Sequence, residues 1–211
     1  MKIMIAVPCF DHLDVNFAQS IEELEKIGDC KVVYCASSLI YDARNNLAMR
    51  AIAEKYDYVL WLDSDMVFEP TLLKDLLATG KDFVSGLCFS RRPPFKPAIF
   101  DVCEYEDDQE HNGSKKPKAH NYFDYPRDQL FEVAAFGFAA ALTKVDTLDI
   151  LRTVWGLPFT PLLGFGEDLS FCIRARQLDI PLWVDSRIKV GHIGKMVVNE
   201  EVYDNTTTAR E

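Results

Sequence analysis

The 211-residue chain alternates short, uniformly apolar runs with longer stretches in which apolar residues recur every three or four positions. Residues 2–8 (KIMIAVP) carry no polar position after the lysine and end in a proline, which cannot donate to a sheet. Residues 31–36 (KVVYCA), 58–62 (YVLWL) and 82–89 (DFVSGLCF) are similar runs, and the unbroken YVLWL predicts a strand covered on both faces. The intervening stretches predict helices. Residues 15–28 place Phe17, Ile21 and Leu24 at helical spacing and stop at Gly28. Residues 43–56 put Ala43, Leu47, Ala51 and Ile52 on one face, and residues 69–80 form a short helix with Pro70 near its start and Gly80 at its end. Strand–helix alternation of this kind implies βαβ units, an α/β fold and a mostly parallel sheet.

The pattern changes after residue 90. Residues 103–128 are polar and rich in turn formers, which predicts a surface loop or a β-excursion that is mobile without ligand. Residues 131–143 (FEVAAFGFAAALT) are apolar and rich in small residues, residues 144–155 read as a helix, and residues 156–166 (GLPFTPLLGFG) as an irregular loop. A further helix over 167–178 places Leu169, Cys172, Ile173 and Arg176 on one face, and residues 180–194 supply one or two short strands. The polar, Thr-rich tail over 195–211 is expected to be mobile.

Composition narrows the function classes. A length of 211 residues with 48% hydrophobic content fits one domain with a sizeable core. The net charge of −10 argues against a nucleic-acid partner and against an anionic membrane surface. No apolar run reaches membrane length, and the N-terminal run is too short for a signal-peptide core. The six cysteines show no C-x-x-C spacing and several sit inside apolar runs, so free thiols in a reducing, cytoplasmic setting are expected.

Three constellations carry chemistry. The strand YVLWL ends abruptly in Asp63-Ser64-Asp65. In open α/β sheets ligands bind beyond the carboxyl ends of the strands, and alternate residues of an extended segment project to the same side. Two carboxylates there repel each other unless a cation compensates, and Mg²⁺ or Mn²⁺ suits oxygen ligands shared with a substrate's phosphates. The plainer alternative is a polar turn with two solvated aspartates. Glu167 and Asp168 open the 167–178 helix after Gly164 and Gly166. They either complement the helix dipole or supply a general base facing a bound hydroxyl. His192 follows a strand-like run between Gly191 and Gly194. It is either structural or completes a mixed oxygen and nitrogen metal site.

In order, "AVPCFD", "ARNN", "WLDSD", "AAFGFAAAL", "GEDLSF" and "VGHIG" resemble the nucleotide-sugar glycosyltransferases of the GT-A type, particularly the family-2-like group, over residues 2–194. The resemblance implies one GT-A domain over 1–194, with a Rossmann-like nucleotide-binding half (1–90), a smaller mixed acceptor half (91–194) and a tail (195–211). It implies transfer of a sugar from a nucleoside-diphosphate donor, UDP in preference to GDP, to a carbohydrate or other hydroxyl acceptor. Asp63, Asp65 and His192 become the expected metal ligands for Mn²⁺ or Mg²⁺. Pro8, Phe10, Arg44, Asp63, Ser64, Asp65 and Lys195 become the expected donor-binding residues. Asp168 is the expected base, with Glu167 beside it. The chain departs from the family pattern after the second strand, where Ser37 and Ser38 replace the usual acidic base-reading residue. Two alternatives compete: a HAD-like phosphohydrolase with Asp63 as nucleophile, and a GT-A-like module that binds nucleotide or carbohydrate without turnover.

Overall fold

The computed structural model describes residues 1–108 and 113–194. Its elements follow in chain order as β1 (Lys2–Cys9), α1 (Val15–Glu23), β2 (Asp29–Ala36), α2 (Ile40–Ala53), β3 (Tyr58–Leu62), β4 (Met66–Val67), α3 (Leu72–Ala78) and β5 (Phe83–Leu87). The second part continues with β6 (Ile99–Asp107), β7 (Lys115–Asn121), β8 (Leu130–Val133), β9 (Ala135–Phe136), β10 (Ala140–Lys144), α4 (Val145–Trp155), α5 (Glu167–Arg176), β11 (Leu182–Lys189) and β12 (Gly191–His192).

Seven strands form the central sheet in the order β2-β1-β3-β10-β5-β11-β8. Strand β1 pairs parallel with β2 and β3, and β5 pairs parallel with β11. Strand β10 lies antiparallel between β3 and β5, and β8 runs antiparallel along the β11 edge. The sheet is therefore mostly parallel, with two reversed strands contributed by the second part of the chain. The apolar segment 131–143 becomes three strands, of which β8 and β10 join the central sheet and β9 pairs with β6.

The unbroken apolar runs are explained by cover on both faces. Along β1, Ile3, Ile5 and Val7 face one core with Phe17 of α1 and Leu72 and Leu76 of α3. Met4 and Ala6 face the other core, with Leu47 of α2, Leu148 of α4 and Phe171 of α5. Strand β3 divides likewise, Leu60 and Leu62 to the first core and Val59 and Trp61 to the second. That second core is aromatic. Trp61, Phe83, Phe138, Phe159 and Phe171 pack mainly edge to face at centroid separations of 4.9–6.0 Å, apart from a stacked Phe159–Phe171 pair at 4.5 Å. The Trp61 indole donates to Thr143 Oγ1 at 3.2 Å, so the one polar atom of this buried ring is satisfied.

The polar stretch 103–128 takes the β-excursion form. Strands β6 and β7 make an antiparallel hairpin, stitched by Lys118 Nζ to Glu106 Oε2 at 2.9 Å and Lys116 Nζ to Glu106 Oε1 at 3.6 Å. The acidic 104–107 run and the Lys115–Lys118 run face each other across the strands, which is the cross-strand pairing that favours this register. The tail over 195–211 lies outside the described residues. All six cysteines are free thiols, and among the described residues no helix is long and apolar enough to cross a membrane.

Candidate functional site

The Asp63-Ser64-Asp65 turn stands at the carboxyl end of β3, where the Asp63 amide donates to the Ala139 carbonyl (3.1 Å) before the chain enters β4. Strand β4 is only two residues long, but it pairs antiparallel with β12 in the register His192↔Met66. A backbone bond from Ile193 N to Asp65 O (2.8 Å) continues the ladder. This small second sheet is what carries His192, more than 120 residues away in sequence, to the end of β3. His192 Nε2 lies 3.3 Å from Asp65 Oδ2.

The His192 ring is held by its other nitrogen. Nδ1 is 2.9 Å from the Phe89 carbonyl, an oxygen that can only accept, so Nδ1 donates to it, and Nε2 faces Asp65, to which it donates in the imidazolium form. The Asp65 hydrogen bond raises the His192 pKa. Burial pushes the Asp65 carboxyl upward, but His192 and Arg91 outweigh it and hold its pKa below the usual value. Arg91 Nη1 contacts the same Oδ2 that His192 faces.

Asp63 goes elsewhere. Its Oδ1 accepts from Arg44 Nη2 at 2.8 Å, and Arg44 Nε reaches Glu167 Oε1 at 3.3 Å. Arg44 is only 2% exposed, lies against the Phe138 ring and donates to the Phe138 carbonyl at 3.4 Å. The arginine expected at the nucleotide is thus a buried tie between the D-S-D turn and the start of α5. Burial, joined by the charges of Asp65 and Glu167, raises the Asp63 pKa despite Arg44.

Asp168 sits behind this tie. Its Oδ1 accepts from the Leu169 amide at 2.7 Å, at the first turn of α5. Burial, then the Glu167 charge, push its pKa from 3.8 to about 6. A Cβ on Gly137 would stand 3.5 Å from Asp168 Oδ2, and one on Gly166 would stand 3.2 Å from Oδ1. Glycine at both positions keeps the flanks of this carboxyl clear. The loop before α5 is fixed by the β6–β7 hairpin. Tyr105 donates to the Leu163 carbonyl at 2.7 Å, and Gly164, at φ +81°, packs so closely that a Cβ would meet Pro117 Cγ at 2.4 Å. Buried Cys88 and Cys103 are pushed up to about 12, so these neighbouring thiols are not nucleophiles.

Three adjoining cavities open around Arg91. One of 360 Å³ runs along the ends of β1 and β2 and is lined by Pro8, Phe10, Ser37, Ser38, Asp63, Ser64, Asp65 and His192. A second, of 490 Å³, lies over Phe10, His12, Asp14, Ser64 and Asp65. The third, of 380 Å³, is the most apolar, with Phe89, Pro93, Phe95 and Val190. Arg91 lines all three. The structure therefore gathers Pro8, Phe10, Ser64, Asp65 and His192 at one mouth, with Asp63 turned toward Arg44. Glu167 and Asp168 form a second cluster behind Arg44 and line none of the three cavities. Lys195 lies outside the described residues.

Arg91 is the residue that sequence reasoning passed over. It follows the carboxyl end of β5 as the D-S-D turn follows β3, so the same strand-end rule applied to "SGLCFSRRPPF" would have found it.

As for a metal, no group of three or more His, Cys, Asp or Glu side chains among the described residues could hold one unaided. Asp65 and His192 offer a carboxylate oxygen and an imidazole nitrogen side by side. That donor pair suits Mn²⁺ when a substrate's phosphates supply the remaining oxygens.

A family profile described as Anp1 matches residues 28–121, less than half of the chain. The structure is similar to that of A197 from STIV, with TM-score 0.61, 14% identity, and 92% of this chain and 87% of that chain covered. It is also similar to GalNAc-T7, solved with UDP, GalNAc and Mn²⁺, with TM-score 0.61 and 10% identity over 93% of this chain and 44% of that one. No curated protein matches. The chain thus has an α/β fold with a large, mostly parallel central sheet flanked by helices, similar to that of a GT-A glycosyltransferase structure.

Proposed function

We propose that this protein transfers a sugar from a nucleoside-diphosphate sugar to an acceptor hydroxyl, as a family-2-like GT-A enzyme assisted by Mn²⁺ or Mg²⁺. The observation that carries the reading is the convergence of Asp65 Oδ2 and His192 Nε2, 3.3 Å apart, at the mouth of a cavity lined by Pro8, Phe10 and Ser37. The nucleoside belongs in that cavity, with the base against Phe10 and the Ser37 and Ser38 hydroxyls in place of a carboxylate. Neutral hydroxyls can both donate to and accept from a base edge; UDP in preference to GDP is the donor we propose, by analogy with the GalNAc-T7 structure solved with UDP. Six free thiols fit a cytoplasmic setting.

As the glycosidic bond breaks, negative charge grows on the diphosphate. A cation held by Asp65 and His192 would offset that charge when bound. The chain's own residues do the rest. Arg44 fixes Asp63 and Glu167 relative to each other, so the donor turn and the α5 start move as one unit. Asp168, with its pKa at about 6, is ionised near neutrality and basic enough to take the acceptor hydroxyl's proton as attack proceeds. Glu167 is committed to Arg44, which favours Asp168 as the base.

Calorimetry of UDP and GDP with and without Mn²⁺ tests the reading. UDP should bind more tightly with Mn²⁺, Asp65→Ala should lose the Mn²⁺-dependent gain, and His192→Ala should lose less of it. Equal affinity with and without metal, or no affinity for any nucleoside diphosphate, rules the reading out.

A further inference from the structure

We propose that the Arg91 guanidinium is an exchangeable counter-ion for Asp65. It competes with a divalent cation for the same carboxylate oxygen, and once displaced it turns onto the donor's diphosphate. The proposal rests on the donor-site reading above and concerns a residue which that reading does not use.

Arg91 Nη1 and His192 Nε2 both address Asp65 Oδ2, so one oxygen serves a guanidinium and an imidazole together. A divalent cation at that oxygen and a guanidinium at that oxygen repel each other, and both cannot stay. Arg91 is built to be the partner that leaves. Its side chain is half exposed, whereas the backbone beneath it is fixed. Ser90 N donates to the Lys96 carbonyl at 2.8 Å, and Phe95 N donates to Arg92 O at 2.9 Å, closing a tight loop. Gly194 packs against this loop so closely that a Cβ there would meet Arg91 O at 2.8 Å. The Phe89 carbonyl at the loop's base is the acceptor that orients His192. A fixed backbone with a long, half-exposed side chain lets the charged end swing while its root stays put. The directions open to it are the three cavities that it lines, among them the nucleoside cavity along β1 and β2. A planar guanidinium matches phosphate oxygens two at a time, so a diphosphate there is a better partner than a single shared carboxylate oxygen.

The test is a titration of the full chain with Mn²⁺ alone, followed by spin resonance of free Mn²⁺, for wild type, Arg91→Gln and Arg91→Lys. Removing the competitor should tighten binding of Mn²⁺ alone by about fivefold in Arg91→Gln, the ceiling for a half-exposed ion pair. Calorimetry of UDP in saturating Mn²⁺ should show the opposite sign, with Arg91→Gln weaker by about tenfold, as for one lost charge-assisted pair. Arg91→Lys, which keeps the charge, should lie between wild type and Arg91→Gln in both. Half exposure of the side chain keeps the substitution out of the core, and near-ultraviolet circular dichroism checks that. Mn²⁺ binding to Arg91→Gln that is no tighter than to wild type overturns the competition. Unchanged UDP affinity overturns the transfer of the guanidinium to the diphosphate. If wild type binds neither Mn²⁺ nor UDP, the donor-site reading fails first and takes this proposal with it.

Discussion

Replacing Asp168 with Asn should make the protein more stable and less active at once. In the fold its carboxyl has a pKa of about 6, against 3.8 for an ordinary aspartate, because of burial and the Glu167 charge. The native state therefore binds the proton more tightly than the unfolded chain does. Between pH 3.8 and about 6 the folded form carries more protons, so stability falls as pH rises through that window and is level above it. A shift of about two units corresponds to ~3 kcal/mol of penalty at pH 7. Asn keeps an oxygen to accept from the Leu169 amide (2.7 Å) but carries no charge. Partial exposure and relaxation reduce the gain, so we expect Asp168→Asn to be more stable by about 1–2 kcal/mol at pH 8, a rise of ~2–8 °C in Tm. Near pH 4 the two proteins should be equal. Single-turnover transfer should fall by about 10²–10⁴, the usual cost of a lost general base, with donor affinity retained. Urea unfolding at pH 4, 6 and 8 separates the cases. A variant less stable than wild type at pH 8, or a difference constant across pH, refutes the burial argument. Wild-type transfer refutes the base assignment.

Arg44→Ala leaves Asp63 and Glu167 without their shared cation and should cost about 3–5 kcal/mol at neutral pH, and less in acid, where Asp63, whose pKa burial raises, takes up a proton; urea unfolding at neutral and acid pH measures it. Gly164→Ala forces a side chain into a φ of +81° and against Pro117, and should cost about 1–3 kcal/mol in a thermal scan while UDP affinity survives, because the β6–β7 hairpin and not the donor cavity takes the strain.

Much of the first half was legible because each of its elements announces itself locally. Residues 58–62 are apolar without a break, and the strand has those bounds. The helix over 15–28 stops five residues early, at Glu23, since Leu24 is already extended and Glu25 N is bonded to the Pro70 carbonyl. The second half was harder because an apolar run carries no direction. FEVAAFGFAAALT reads as one segment, yet its strands pair with β11, β6, and β3 together with β5, and those pairings depend on partners far along the chain. The sequence leaves the β6–β7 hairpin open between a loop and a β-excursion for a different reason. Its strands are half solvated and held by Glu–Lys pairs, so they lack the apolar alternation that marks a strand.

The site divides along the same line. Asp63 and Asp65 share one turn, and spacing alone aims both at one ligand, but spacing cannot see the guanidinium that claims one of them. Arg44 lies beside Ala43 and Leu47 on the face of α2 that packs inward, where a charged residue is costly unless paired. That cost is informative: an arginine on a buried helical face requires carboxylates to meet it, and the chain's D-S-D and E-D motifs are the two ends it joins. Arg44 then decides which carboxylates remain available. Asp63 and Glu167 are spent on the tie, whereas Asp65 is left to His192 and Arg91, and Asp168 makes no ion pair among the described residues. One buried arginine thereby separates four nearby carboxylates into two that hold the frame and two outside it, Asp65 and Asp168, to which we assign the proposed cation and proton roles.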